Sequence, residues 1–308
     1  MIDQLMPGDS HATTLQSEPP NIDAVLVRRL IAGQFPQWAG LLVRPVIFSG
    51  WDNRTFHLGE DLVVRLPNGA QYANQVTKEH RWLPELAPHL PLKIPEPIAI
   101  GTPAYGYQHL WSVYRWIDGE VAGLKNIVDQ RAFAACLANF LLALQSIDAT
   151  GGPSPGLHNF FRGGSLAVYD GQVKQALNIL RGKIDTKAAI RLWDAALASS
   201  WNRAPVWVHG DISVGNLLVQ NGRLHAVIDF GQLTTGDPAC DLTMTWTLFK
   251  DESRKIFQKT LDLDTDTWTR ARAWAFWKAA IVASGLAETN AVDWSEPWRV
   301  IDEVLAVY

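Results

Sequence analysis

The stretch that most constrains this 308-residue chain runs from Val208 to Gly231. Its first half reads Val208-His209-Gly210-Asp211-Ile212-Ser213-Val214-Gly215-Asn216-Leu217-Leu218-Val219. After Asn221-Gly222 it continues as Ala226-Val227-Ile228-Asp229-Phe230-Gly231. Asn-Gly supplies the positive φ angles of a tight hairpin turn, so the two short apolar runs are expected to pair as antiparallel strands. Such a hairpin brings Asn216 and Asp229 out at the same end, beside Asp211. Each taken alone would pass as an ordinary turn-forming residue; together they form a carboxylate, a carboxamide and a second carboxylate around one point.

That set suits phosphoryl transfer, which needs charge on phosphate oxygens offset and a nucleophile aimed. Mg²⁺ is held by one or two protein oxygens while phosphates complete its octahedron. Asn216 and Asp229 fit that task. Asp211 remains to orient an attacking hydroxyl and take its proton.

The rest of the chain divides by character. Residues 1–20 are polar and small and end in Pro19-Pro20, and a helix capped by Asn21 is expected over about 22–33. Strands are expected at 42–43, 46–48 and 62–66, with Gly50, Asn53 and Gly59 as turn residues, then a helix over 72–86 and strands at 98–100 and 111–117. After Gly119 helices dominate: 129–147, parts of 172–200, 238–249, 267–286 and 297–307. Only the strands 217–219 and 226–228 are expected to interrupt them.

Composition excludes several roles. Hydrophobic residues make up 47% and charged residues 19%, enough apolar material for a folded core. A net charge of −4, with no basic segment, argues against nucleic acid as a partner. The longest apolar run, 132–144, is broken by Asn139 and falls short of the roughly 20 residues of a membrane span. The start of the chain has neither a basic region nor an apolar run, and two cysteines, Cys136 and Cys240, suit a reducing compartment. A cytoplasmic protein without membrane contact is expected.

His-x-Asp followed by four residues and Asn, then Asp229-Phe230-Gly231, resembles the protein-kinase-like catalytic core. The form His209-Gly210-Asp211, followed by Asp237-Pro238-Ala239-Cys240-Asp241-Leu242, resembles the aminoglycoside phosphotransferase family over about residues 40–250. The resemblance implies an α+β, protein-kinase-like two-lobed fold. A small antiparallel-sheet N-terminal lobe would span 1–117, and a larger, mainly helical C-terminal lobe 118–308. It makes Asp211 the catalytic base, gives Asn216 and Asp229 to Mg²⁺, and leaves His209 and Asp241 to brace the catalytic loop. ATP would be the phosphoryl donor and a small-molecule hydroxyl the acceptor.

In the front lobe the resemblance implies a strand cation that meets the nucleotide phosphates and a helix glutamate that holds it. Leu62-Val63-Val64-Arg65-Leu66-Pro67 puts Arg65 where the family has lysine, and Glu79 falls on the following helix. Arginine keeps the charge but is longer and planar. Ser49, Gly50 and Asn53 lie in the segment expected to cover the nucleotide, and the backbone of Arg115, Trp116 and Ile117 in the segment expected to read its base. The acceptor is open. Asp251, Glu252, Asp262, Asp264, Asp266, Glu288, Asp293 and Glu296 in the tail would suit a polycationic antibiotic, although mixed surface charge is the commoner meaning of such a set. A kinase of a sugar, amino alcohol or other metabolite is one alternative. A nucleotide-binding pseudokinase acting as sensor or scaffold, suggested by Arg65, is another.

Overall fold

Residues 22–47, 52–287 and 297–306 are described by a computed structural model. Five strands, β1 (Val43–Pro45), β2 (Asn53–Leu58), β3 (Leu62–Pro67), β4 (Pro97–Gly101) and β5 (Trp111–Arg115), form an antiparallel sheet in the order β1-β2-β3-β5-β4. Side chains alternate between the faces of a strand, and β3 uses both. Val64 and Leu66 join Phe56, Leu58, Trp111 and Val113 under helix α1 (Ala24–Gln34), which contributes Leu26, Val27, Leu30 and Ile31. Val63 packs into the main core with Tyr114, Leu83 and Leu86, on the side of helix α2 (Ala70–Leu86). Arg65, two residues after Val63, therefore points toward α2 and not toward α1.

The helical part is built around α8 (Thr265–Ala283), whose buried residues run all round its surface. Helices α3 (Gln130–Ser146), α4 (Asp170–Ile179), α5 (Thr186–Leu197), α6 (Met244–Thr247), α7 (Asp251–Leu261) and α9 (Pro297–Leu305) complete it. α7 packs on α3, while α4, α5 and α9 pack on α8. Short strands β6 (Glu120–Val121), β8 (Leu217–Gln220) and β9 (Arg223–Val227) form one sheet, and β7 (Val206–Val208) pairs with β10 (Thr234–Gly236). No helix among the described residues is long and apolar enough to cross a membrane.

Several local expectations change. Helix α1 begins later than expected: the Asp23 carboxylate accepts the N–H groups of Val25 and Leu26, and Asn21 lies outside the described residues. Strand β2 was not anticipated, because only Phe56 and Leu58 are apolar in Asn-Arg-Thr-Phe-His-Leu. Pairing with β1 and β3 on both sides makes it a strand. The helix expected over 238–249 is instead a 3₁₀ turn, 238–242, followed by α6. Pro238 and the Asp237 carboxylate on the Ala239 N–H start that turn, and Asp241 is diverted inward. Strands β6, β7 and β10 and helix α7 were also not foreseen.

Candidate active site

The 208–231 stretch folds as a strand, a loop and a hairpin. Strands β8 and β9 pair with Leu217 opposite Val227, and Asn221 and Gly222 turn between them at φ of 53° and 77°. The Asn216 carbonyl accepts the Ile228 N–H at 2.9 Å, which fixes Asn216 beside the residue before Asp229. The Asn216 amide nitrogen donates to the Asp211 carbonyl at 2.9 Å and to Asp211 Oδ2 at 3.0 Å. Asp229 itself is held at φ 66° at the start of a 3₁₀ turn, 230–232. The hairpin thus brings together the three residues singled out from the sequence.

Two further residues pin the loop. Asp241, 1% exposed, accepts the N–H of His209 at 2.7 Å and of Gly210 at 2.8 Å. Burial pushes its carboxyl up to about 7 against the pull of those two donors. His209 accepts the Asp211 N–H at Nδ1 and faces the Ile228 carbonyl with Nε2, so the neutral Nε2–H tautomer satisfies both contacts. Burial lowers its proton affinity, in keeping with that neutral form. Gly210 is required between them. Its φ is +89°, and a Cβ there would lie 2.6 Å from the Gln232 carbonyl oxygen.

The strand cation is firmly held. Arg65 Nη1 lies 3.4 Å from Glu79 Oε1 and Nη2 donates to Asp229 Oδ1 at 3.0 Å. Burial opposes the charge on Arg65, and Glu79 and Asp229 more than restore it. Tyr114 donates its hydroxyl to Glu79 Oε2 and lies under the guanidinium, 5.6 Å from ring centroid to Cζ. Glu79 is 2% exposed, and burial raises its carboxyl.

The donor set also fits a divalent ion. Asp211 engages the nitrogen of the Asn216 amide, and Arg65 engages Oδ1 of Asp229. Asn216 Oδ1 and Asp229 Oδ2 have no hydrogen-bond donor among the described residues. These are the hard oxygens that Mg²⁺ takes. No group of three or more His, Cys, Asp or Glu side chains suited to a metal occurs among the described residues. A cation held by this pair would therefore depend on ligand oxygens.

The description of the phosphotransferase enzyme family matches residues 45–274. The chain belongs to that family. Among solved structures it is similar to the GDP complex of wild-type aminoglycoside 2'-phosphotransferase-IIIa, at 18% identity and a TM-score of 0.66, covering 92% of this chain and 98% of that one. It is similar to the macrolide 2'-phosphotransferase MphH of Brachybacterium faecium at 22% identity and a TM-score of 0.58, covering 86% and 94%. The streptomycin–ATP complex of APH(2'')-IIa gives 20% identity and a TM-score of 0.59, covering 87% and 93%. At these identities the likeness is one of fold. No curated protein matches the chain.

Other expected residues of this phosphotransferase fall less simply. Ser49 and Gly50 lie outside the described residues, and Asn53 is buried in β2 opposite Pro67. The Arg115 N–H donates to the Glu96 carbonyl and the Trp116 N–H to the Asp61 carbonyl, so neither is available to a base. Of the three, only the Ile117 N–H makes no backbone hydrogen bond among the described residues. Of the acids of the tail, Asp264 caps α8 and pairs with Arg203, and Glu252 pairs with Lys255, while Glu288, Asp293 and Glu296 lie outside the described residues.

Four charged residues at the site escaped the sequence reading. Asp52, hydrogen-bonded by Gln75 at 2.8 Å, is pushed up to about 7 by burial and by Asp229. Lys78 donates to His158 Nδ1 at 3.3 Å and is lowered to about 8 by burial. Lys278 brings its ammonium to 3.7 Å from Asp211 Oδ1, and Arg162 acts on the same carboxylate. Burial works to raise Asp211, but Lys278, Arg162, His209 and the Asn216 amide outweigh it and hold the carboxyl below its ordinary value. Lys278 alone left a readable signal, as a lone charge in the run Trp274-Ala275-Phe276-Trp277-Lys278-Ala279-Ala280.

Proposed function

We propose that this phosphotransferase moves the γ-phosphoryl group of ATP, with Mg²⁺, to a hydroxyl of a small molecule. The observation that carries the reading is the convergence of Asp211, Asn216 and Asp229 at one end of the β8–β9 hairpin, with Asp211 37% exposed toward solvent. Asp211, kept ionised by its neighbours, accepts the proton of the acceptor hydroxyl as the oxygen attacks. Asn216 Oδ1 and Asp229 Oδ2 would hold Mg²⁺, which when bound offsets charge on the phosphate oxygens. Arg65, positioned by Glu79 and Tyr114, meets the nucleotide phosphates, and Ile117 offers its N–H to the base. In this reading the sheet lobe, 1–117, covers the nucleotide and 118–308 carries catalysis and the acceptor, in a cytoplasmic enzyme.

The fold neighbours include proteins acting on aminoglycosides and on a macrolide, so an antibiotic or related hydroxyl compound is the acceptor class to test first. The assay is ADP release from ATP and Mg²⁺ across hydroxylated compounds, with Asp211→Asn as the control. A parent-like rate in that variant refutes the role of Asp211. A second reading, a nucleotide sensor without transfer, is favoured by one observation: both Nη atoms of Arg65 are engaged by carboxylates. Thermal stabilisation by ATP and Mg²⁺, without ATP hydrolysis and without any acceptor, is its signature.

A further inference from the structure

Helix α2 grips the segment that begins at Asp229 in two places. Glu79 holds Arg65, which donates to Asp229 Oδ1 at 3.0 Å. Gln75 lies four residues earlier, on the same face of the helix. Its amide nitrogen donates to Asp52 Oδ2 at 2.8 Å. Gln75 is 4% exposed, and its Oε1 is buried with no hydrogen-bond partner among the described residues.

Gly231 is what admits this side chain. A Cβ on Gly231 would lie 2.7 Å from Gln75 Cδ, 2.8 Å from Nε2 and 2.9 Å from Oε1. All three are well inside ordinary contact distance, so the amide fills the space that a side chain at 231 would need. Gly231 does not adopt a positive φ, and space, not backbone freedom, calls for glycine here. Asp52 is fixed in its turn. Its carbonyl accepts the Asn68 N–H at 2.8 Å, one step beyond the Asn53–Pro67 pair of β2 and β3. One amide therefore links the end of that strand pair, helix α2 and the residue two past Asp229.

Packing alone does not explain a glutamine at this place. A buried carbonyl oxygen without a donor has given up water for nothing and costs stability. Methionine, unbranched and adaptable, would fill the same gap without that cost.

Resting on the phosphotransfer reading, in which Asp229 Oδ2 takes Mg²⁺, we propose that Gln75 is a positioning residue for the metal-binding turn. Its amide, seated against Gly231 and tied to Asp52, sets where the Asp229 carboxylate stands relative to the sheet that covers the nucleotide. Asp229 holds φ 66°, in the left-handed region, so its backbone needs support from outside the turn. Arg65 fixes one carboxylate oxygen, and Gln75 fixes the backbone that carries it. Together they leave Oδ2 for the ion.

The test measures ADP binding to the full-length chain by calorimetry, once with Mg²⁺ and once with EDTA, alongside thermal unfolding. Gln75→Met keeps the bulk and removes the donor. It is expected to unfold within about 3 °C of the parent. Its Mg–ADP affinity should fall about tenfold, the size of effect seen when a partner of a metal ligand is lost, and its affinity in EDTA by less than about twofold. Gln75→Ala and Gly231→Ala act on the same amide, the first by deleting it and the second by displacing it. Each should lose about tenfold in Mg–ADP affinity, and the two together about tenfold again, not the roughly hundredfold of independent sites.

Equal weakening of Gln75→Met in Mg²⁺ and in EDTA overturns the proposal, since Gln75 would then serve packing alone. Losses that multiply in the double variant overturn it too. A parent that binds no ADP, or binds it no tighter with Mg²⁺, refutes the phosphotransfer reading and the role of Gln75 with it. A parent that binds Mg–ADP tightly, with Gln75→Met binding it equally well, refutes the role of Gln75 alone.

Discussion

Replacing Gly210 by alanine tests how tightly the catalytic loop is built. Gly210 lies between His209 and Asp211 at φ +89°, and an added Cβ would meet Gln232 at 2.6 Å from its carbonyl oxygen and 2.7 Å from its Cβ. Two costs follow. An L-residue at this backbone angle loses about 1–2 kcal/mol. The close contact with backbone, which cannot rotate away as a side chain end can, adds about 1–3 kcal/mol of overpacking. The sum is about 2–5 kcal/mol. Gly151 supplies the control: its φ is +77° and nothing lies within 4 Å of its Cβ position, so Gly151→Ala carries the backbone cost alone. Urea unfolding of the two variants and the parent, fitted with a common slope, gives the difference. Gly210→Ala should be less stable than Gly151→Ala by about 1–3 kcal/mol, and it should also lose turnover, because Asp211 moves with the shifted loop. Equal stability of the two variants, within about 0.5 kcal/mol, refutes the claim that the approach of Gln232 requires glycine here.

Asp211→Asn should lower turnover by about 10²–10⁴-fold while leaving nucleotide affinity close to that of the parent, as rate and ADP-binding measurements will show. Asp229→Asn should weaken ATP binding in the presence of Mg²⁺ and much less in EDTA; equal weakening in both would remove Asp229 from metal binding. Arg270 and Asp237 form a buried pair at 2.6 Å, 5% and 9% exposed, tying α8 to the turn that carries Asp241. Arg270→Met should cost about 3–5 kcal/mol by stranding Asp237, and adding Asp237→Asn should recover part of it, both read by urea unfolding. Asp241 has a raised carboxyl, about 7, so its protonated form stabilises the fold fully below about pH 4 and that contribution is lost as pH rises through about 7. Asp241→Asn should therefore flatten the stability profile between those limits, and parallel profiles would exclude Asp241 as its source.

What was legible in the sequence, and what was not, follows from the range of the forces involved. The β8–β9 hairpin could be read because Asn221-Gly222 and the two apolar runs act over neighbouring residues, and pairing them places Asn216 and Asp229 at one end without further information. Arg65 and Glu79 could be matched only through the family resemblance, and the structure brings Arg65 Nη1 to 3.4 Å from Glu79 Oε1. Helix α7 was missed although its buried residues Ser253, Phe257 and Leu261 recur every four positions, since its other residues are mostly polar. Strand β2 was missed for a different reason: its sequence is mixed, and only hydrogen bonding on both edges makes it a strand.

By itself, then, the sequence determined the local chemistry: which residues turn the hairpin, and that two carboxylates and an amide share one end. Only the tertiary structure decided what surrounds Asp211. Lys278 comes from 67 positions away along the chain, and Arg162 from 49 positions before it. No short-range pattern links either to the catalytic loop. Electrostatic fields act through space, and the charge that an acceptor meets is set by which distant elements pack against the loop.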